Sequence, residues 1–265
     1  MQNRYNEKHA GVPQPPRVAS PASRIAMVVA MMALTAASAW SQSAEEVIRR
    51  MERNQTHETS YIEGRMILRD RFGSRTSSFE MYSEGEENVL VEFTSAAEAG
   101  QKVLRTKDEI YLFYPDASEL IRLQGAALRE SMLGSDVSYE DMTGNRGILD
   151  TYRATLAGRE TIRGFDCFVV DLEARSRDVA YPRQKIWVDS ERFVMRRSER
   201  YALSGRLLKE IVVTALMERS GLVFPAAMTI ADTLKADSGT EFIVDEAQIG
   251  IRLPPNIFSL EELTW

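Results

Sequence analysis

The chain has 265 residues, of which 44% are hydrophobic and 27% are charged, and its formal net charge is −6. This composition is ordinary for a globular protein that can build its own core. The acidic balance argues against nucleic acid as a partner, because phosphate binding needs clustered positive charge.

The first 39 residues have the pattern of a secretory signal peptide. Arg17 and Arg24 precede an uninterrupted apolar run, residues 25–34, and Ala37-Ser38-Ala39 is a candidate cleavage site. The apolar run is shorter than the roughly 20 residues that cross a bilayer, so a retained membrane anchor is the weaker interpretation. We therefore predict export with removal of residues 1–39. This cut removes four basic residues and one acidic residue, which changes the formal charge from −6 to −9.

The exported part begins with a predicted amphipathic helix. Ser43 and Glu46 form a capping box at its start. Four apolar residues then fall on one side of the helix: Ala44, Val47, Ile48 and Met51. We predict that this side covers a sheet; a helix that binds a partner or a membrane surface is the alternative.

From residue 61 the hydrophobic period changes from 3.6 to 2, which indicates strands. The predicted strands of the first half are residues 61–70, 77–83, 88–94, 102–107, 109–114 and 118–123. Those of the second half are residues 152–157, 165–174, 184–189, 193–202, 206–219, 222–234 and 240–249. Pro225 lies inside one of these runs and predicts a bulge or an edge strand there. Ser259 and Glu262 can cap a final helical turn.

One helical passage, residues 133–142, separates the two groups of strands. Gly134 allows a turn, Ser138 and Asp141 can cap a short helix, and Gly144 can end it. Asp136, with its neighbours Glu140 and Asp141, could form an acid/base or calcium cluster. Capping and the helix dipole already account for acidic residues at such a place, and the spacing lacks the glycine and alternating ligands of a calcium loop.

The connections between strands are too short for parallel crossovers, so consecutive strands must be antiparallel. We predict one mainly β domain, residues 40–265, with a few helices. Its fold class is a strongly curved antiparallel open half-barrel with helices as a lid, because a long flat sheet would leave both faces exposed. The space between sheet and lid is either packed core or a lipid-sized cavity.

Catalytic and metal-binding groups are scarce. Cys167 is the only cysteine and lies in an apolar run, so we predict a buried apolar role for it. His57 is the only histidine beyond residue 39 and lies in a polar stretch. The chain has no glycine-rich phosphate loop, CxxC pair or GxSxG motif. We predict a protein that is not an enzyme and uses no metal or cofactor.

Large flexible apolar side chains on the predicted strands and lid are the candidate lipid-binding residues, since such side chains adapt to acyl chains. They are Met66, Phe93, Tyr111, Phe113, Met132, Trp187, Met195 and Met228. Each could equally fill an ordinary core.

A basic run accompanies one of the predicted strands. On a regular strand Arg196 and Arg200 would share one face and Arg197 the other. A solvated sheet face is the simpler interpretation, and an anionic headgroup or partner is the alternative.

The chain resembles the LolA-like outer-membrane lipoprotein-sorting proteins, in a longer, divergent branch. The resemblance is carried by LGSDVSYEDM at residues 133–142, KIWVD at 185–189, Arg196, Tyr201, GRLLKE at 205–210 and IFSLEEL at 257–263. It implies the LolA/LolB-like fold and a periplasmic carrier of lipoprotein acyl chains or another lipid. The implied partners are the lipidated cargo, an inner-membrane transporter and an outer-membrane acceptor. We expect a monomer.

Two other classes remain open at this point. A periplasmic sensor or regulator could use the same half-barrel to bind a lipoprotein or a membrane protein. A hydrolase could be built on the abundant carboxylates, although no catalytic motif supports it.

Overall fold

The computed structural model describes residues 42–264, except residues 108, 144–146 and 178. The predicted signal peptide and Gly144 lie outside these described residues. Apart from Gln42, everything described below belongs to one compact unit, Ser43–Trp265.

Thirteen strands form a single sheet in the described part of the chain. They are β1 (Thr59–Asp70), β2 (Gly73–Glu84), β3 (Asn88–Phe93), β4 (Lys102–Thr106), β5 (Glu109–Tyr114), β6 (Glu119–Leu123), β7 (Tyr152–Ile162), β8 (Phe165–Ala174), β9 (Arg183–Asp189), β10 (Met195–Tyr201), β11 (Leu207–Arg219), β12 (Leu222–Asp232) and β13 (Gly239–Ile249). All paired strands are antiparallel.

The sheet consists of two meanders joined edge to edge. Its strand order is β6-β5-β4-β3-β2-β1-β13-β12-β11-β10-β9-β8-β7, so the first strand of the unit pairs with the last. β6 and β7 are the two outermost strands, and the sheet is not closed. The predicted mainly β, antiparallel, open architecture is confirmed.

Two 3₁₀ helices (Gly125–Arg129 and Met132–Gly134) and four α-helices complete the described fold: α1 (Ala44–Gln55), α2 (Tyr139–Thr143), α3 (Ile148–Thr151) and α4 (Leu260–Leu263). The predicted cap of α1 is present, since the Ser43 side chain accepts a hydrogen bond from the Glu46 amide. The four predicted apolar residues are the buried ones of this helix. Ser259 likewise caps α4 by accepting from the Glu262 amide.

Helix α1 reveals how strongly the sheet curves. It contacts both β12 and β7, which four other strands separate in the hydrogen-bonded order. At about 4.8 Å per strand, these two strands would be ~24 Å apart in a flat sheet. The 12 residues of α1 span only about 18 Å, so the helix reaches both strands where the sheet curves towards it.

The apolar side chains divide between the two faces of the sheet. Inner-face side chains from β1 to β4 pack with Met132 and with Val137, Tyr139 and Met142 of the central passage, residues 133–142. On the outer face, α4 places Leu263 against Leu90, Leu104 and Phe113. The helices on the inner face therefore act as the lid that the sequence predicts, while the carboxyl-terminal helix covers the outside.

Pro225 lies on β12 outside the stretch that pairs with β13, which is residues 227–230, so it has both a local edge on that side and a bulge beside it. Register shifts interrupt the pairing of β11 with β12 beside Leu216, the residue opposite Pro225. Proline lacks the amide that a regular ladder requires, and the bulge at Ala226, the next residue of β12, accommodates this loss.

Candidate functional site

A cavity of 410 Å³ lies between the inner face of the sheet and the three helices α1, α2 and α3. Strands β1–β4 line it from one side and β7, β9, β10, β12 and β13 from the other, so the two meanders share it. Its volume lies within the range of about 300–1,000 Å³ that is typical of small-molecule sites.

Most of the cavity wall is apolar and adaptable. Four methionines contribute to it, namely Met51, Met81, Met142 and Met195. Aliphatic and aromatic residues complete the apolar lining: Ile62, Val89, Ile148, Tyr152, Ile186, Phe224, Ala247 and Ile249. Unbranched, polarizable methionine side chains can repack around guests of variable shape.

The structure disperses the eight residues that the sequence singles out. Met195 lines the cavity. Met66, Phe93 and Met132 are buried in the adjoining inner core, and Met228 packs against that core. Phe113 and Tyr111 belong to the outer-face cluster around α4, and Trp187 packs with Cys167 and Val169 on the outer face. Their role in lipid binding stays a prediction.

The polar centre of the site is Asp141 on α2. The predicted cap is reciprocal: the Asp141 amide donates to Ser138 Oγ at 3.1 Å, and the Ser138 amide donates to Asp141 Oδ2 at 3.2 Å. Arg200 of β10 and Lys209 of β11 each form a salt bridge with the same carboxylate. Burial alone would raise the pKa of Asp141, but these two cations lower it well below its usual range.

The sequence predicts the cap but not this buried ion cluster. All three side chains are at most 15% exposed. Tyr181 completes the group, since its ring lies 4.8 Å from the Arg200 guanidinium carbon. One sequence signal pointed to the cluster, because Arg200 and Lys209 are charged residues within half-buried strands. Their common partner, Asp141, lies far away in sequence.

The rest of the central passage is fastened to the sheet by hydrogen bonds. The buried carboxylate of Asp136 accepts from Ser238 Oγ at 2.7 Å and from Thr240 Oγ1 at 3.0 Å. Arg75 of β2 donates to the Leu133 carbonyl oxygen. No group of three metal-ligating side chains occurs among the described residues. The acidic residues Asp136 and Asp141 therefore hold the lid on the sheet.

The edge of the cavity beneath α1 carries a carboxylate and a histidine in place of the ion cluster around Asp141. Glu52 of α1 accepts a hydrogen bond from the Ile148 amide and so ties α1 to α3. Burial, and then the nearby carboxylates of Glu86 and Asp150, raise the pKa of Glu52. His57 also lines the cavity, with its ring 6.0 Å from that of Phe224. Burial lowers the pKa of His57.

The expected alternation of the β10 arginines is wrong at Arg196. The pairing of β9 with β10 shifts between Met195 and Arg197, which is the signature of a bulge. Arg196 therefore lies on the outer face, where it forms a salt bridge of 2.7 Å with Asp189 and stacks on Phe165. Arg197 lies on the same face over Trp187. Arg200 alone of these three arginines lines the cavity.

Within the described residues, no helix has the length and apolar character needed to cross a membrane.

Three solved structures share this architecture. A DUF1329 family protein from Desulfovibrio piger is 24% identical with a TM-score of 0.77, covering 82% of this chain and 96% of its own. A domain named for outer membrane lipoprotein sorting, from Vibrio parahaemolyticus, is 20% identical with a TM-score of 0.76, covering 84% and 98%. The LolA superfamily protein NE2245 from Nitrosomonas europaea is 22% identical with a TM-score of 0.70, covering 84% and 100%.

A family model described as "-like: Uncharacterized protein" matches residues 85–265, which is more than half of the chain. The chain belongs to this family. The search of curated proteins finds no match. Within this family the chain has the LolA-like fold, and the resemblance found in its sequence is confirmed.

Proposed function

We propose that this LolA-like protein is a periplasmic carrier of lipidated cargo. It binds acyl chains of a lipoprotein or of another lipid in the cavity between sheet and lid and moves them towards the outer membrane. It acts as a monomer without catalysis, after export and removal of residues 1–39, and exchanges cargo with an inner-membrane transporter and an outer-membrane acceptor.

The observation that carries this proposal is the apolar cavity. At ~30 Å³ for each small group, 410 Å³ holds on the order of a dozen methylenes. Each buried methylene gains about 0.8 kcal/mol, so a single chain can bind without covalent chemistry. The methionine-rich wall suits chains of different length and unsaturation.

The fold comparisons support the same proposal. One neighbour is named for outer membrane lipoprotein sorting and another for the LolA superfamily. Cargo of that kind crosses an aqueous space, so its acyl chains must be shielded on the way. An apolar cavity between the sheet and the helices provides such shielding.

A cavity-filling variant tests the proposal. Ala247 of β13 is 5% exposed and lines the cavity, whereas its neighbour Gln248 is exposed on the opposite face. We expect Ala247→Phe to weaken binding of a fluorescent fatty acid by at least about tenfold, because the ring displaces the volume of several methylenes. Gln248→Phe adds the same side chain to the same strand and should leave the affinity unchanged.

Equal binding by the two variants would contradict the carrier proposal, because the fatty acid would then bind outside the cavity. Failure of the unmodified protein to bind any fatty acid would also contradict it. A stable protein partner recovered under the latter condition would favour the sensor or regulator instead.

A further inference from the structure

A second concavity adjoins the cavity on the solvent side of α1. This groove of 840 Å³ runs between the carboxyl-terminal half of α1 and the turn that connects β9 with β10. The turn contributes Glu191, Arg192 and Phe193 to the groove, and Leu222 at the start of β12 closes one side. We name it the arginine groove.

The arginine groove and the cavity have a common wall. Glu52, Thr56 and Glu86 line both of them. Thr56 Oγ1 lies 3.5 Å from Glu86 Oε1, so the wall is only a few side chains thick. A molecule bound in the groove therefore lies within a few side chains of the cavity, and the side chains of Thr56 and Glu86 must part to let one of its ends enter.

Four arginines give the groove its positive side. They are Arg49, Arg50, Arg53 and Arg192. Arg50 stacks on Phe193 at 3.5 Å, and Arg53 lies 3.6 Å from Glu46 with 63% of its side chain exposed. Arg49 and Arg192 are exposed, and neither forms a salt bridge with another residue that the structure describes. The guanidinium groups of Arg49 and Arg192 are available to an anion, and so is that of Arg53, because its ion pair with Glu46 is long and exposed.

The structure fixes the position of Arg192 through its backbone. The Arg192 amide donates to Asp189 Oδ1 at 3.0 Å, and its carbonyl oxygen accepts from Asn54 Nδ2 of α1 at 2.8 Å. Asn54 Nδ2 also donates to the Phe193 carbonyl oxygen at 3.0 Å. The turn and the helix that carry the arginines are therefore held together as a preformed cradle, which lowers the entropy cost of binding.

The wall shared with the cavity carries the opposite charge. Glu52 and Glu86 are close enough for the charge of one carboxylate to raise the pKa of the other, and Asp150 adds to this effect. A cation between Glu52 and Glu86 would offset their repulsion. The groove thus presents guanidinium groups outside and carboxylates at the entrance to the cavity.

We propose that the arginine groove binds the zwitterionic headgroup of a phospholipid, with one acyl chain in the cavity, its phosphate on Arg53 and Arg192, and its ethanolamine folded back so that the ammonium lies on Glu86 and Glu52 at the cavity entrance. This inference rests on the proposed function, because the chain must enter the cavity. A phosphoglycerol head would place its phosphate on the arginines but leave the two carboxylates at the wall without a cation, and a neutral head would leave the arginines without a ligand.

Three lipids with the same acyl chain test the proposal below their critical micelle concentrations. They are lysophosphatidylethanolamine, lysophosphatidylglycerol and a monoacylglycerol, whose heads are zwitterionic, anionic and neutral. We expect affinities in that order by titration calorimetry. Arg53→Gln and Arg192→Gln should each lower the affinity for both phospholipids by about fivefold, as expected for the loss of an exposed charged contact. Neither variant should change the affinity for the monoacylglycerol.

Glu86→Gln should abolish the preference for the ethanolamine over the glycerol head. Arg71→Gln, at an exposed residue of the β1–β2 turn outside the groove, is the matched control and should change none of the three affinities. Equal affinities for all three lipids, unaffected by the groove variants, would overturn the headgroup site and leave the carrier proposal intact. Binding of none of them would overturn both.

Discussion

Asp141 is the residue on which the lid depends most. Its carboxylate caps α2, holds Arg200 and Lys209, and lies within 3.4 Å of the Tyr181 hydroxyl. The cluster joins the central passage to β10 and β11. A buried charge is tolerated in a protein only when partners of opposite charge satisfy it, so the three ionic side chains depend on one another.

Replacement of Asp141 by asparagine should therefore destabilise the protein. We expect Asp141→Asn to lower the free energy of unfolding by about 3–5 kcal/mol, because it leaves two buried cations without a counter-ion. Urea denaturation measures the change. Asp116→Asn, in the exposed turn after β5, is the matched control and should stay within about 0.5 kcal/mol of the original.

The same carboxylate determines part of the acid stability. The folded pKa of Asp141 lies below its unfolded value, so its stabilisation is fully present above about pH 4. It is lost as the pH falls through the lowered folded pKa. The difference in stability between the original protein and Asp141→Asn should therefore shrink only in strong acid; a difference that disappears near neutral pH would contradict the assignment.

Cys167 provides a second test at the scale of single residues. It is fully buried, as the sequence predicts, and burial raises its pKa to about 11. A thiol of this kind is neither exposed nor ionised near neutral pH. We expect a thiol reagent to label the folded protein far more slowly than the protein in denaturant. Comparable rates in the two conditions would show that the outer-face core around Cys167 opens readily.

Local patterns made the caps predictable and left their distant partners unpredictable. The spacing of Ser138 and Asp141 is sufficient to predict their reciprocal hydrogen bonds. Nothing in that spacing indicates Arg200 or Lys209, which are 59 and 68 residues away. Their meeting depends on the curvature of the sheet, which short-range periodicity does not specify.

Among the elements, α1 is the one that the sequence describes most completely, because capping and amphipathicity are local properties. Its buried face is the predicted one. Strand β10 is the opposite case. The bulge between Met195 and Arg197 inserts one residue and moves Arg196 to the outer face, and the sequence contains no proline or glycine at this place to announce it.

The contact between α1 and α3 should respond to pH through Glu52. Because its pKa is raised in the folded state, ionised Glu52 destabilises the fold, and this cost is absent once the pH falls below the unfolded pKa. We expect Glu52→Gln, which keeps an acceptor for the Ile148 amide, to raise the melting temperature near neutral pH. The difference from the original protein should vanish near about pH 4.

Glu119→Gln is the matched control for this prediction, since Glu119 is exposed on the edge strand β6. It should leave the melting temperature unchanged at both pH values. A lower melting temperature for Glu52→Gln near neutral pH would contradict this prediction. It would mean that the hydrogen bond from the Ile148 amide to the ionised carboxylate stabilises the fold by more than burial of that charge costs.

At the scale of the whole molecule, alternating hydrophobicity and short connections are enough to predict one open antiparallel sheet with a helical lid. They cannot divide the enclosed volume between core and cavity. Met66 and Met195 have the same chemistry and both belong to predicted strands, yet only Met195 lines the cavity. That difference depends on how far α1 and α2 sit above each strand, which is a property of the assembled fold.

The central claim is that this cavity holds an acyl chain. Native mass spectrometry of the mature protein purified from the periplasm, followed by organic extraction, tests it most directly. We expect an added mass that extraction identifies as a phospholipid or an acylated peptide, and we expect Ala247→Phe to lose it while Gln248→Phe retains it. An unliganded mass that persists after incubation with lipids and lipopeptides would contradict the claim.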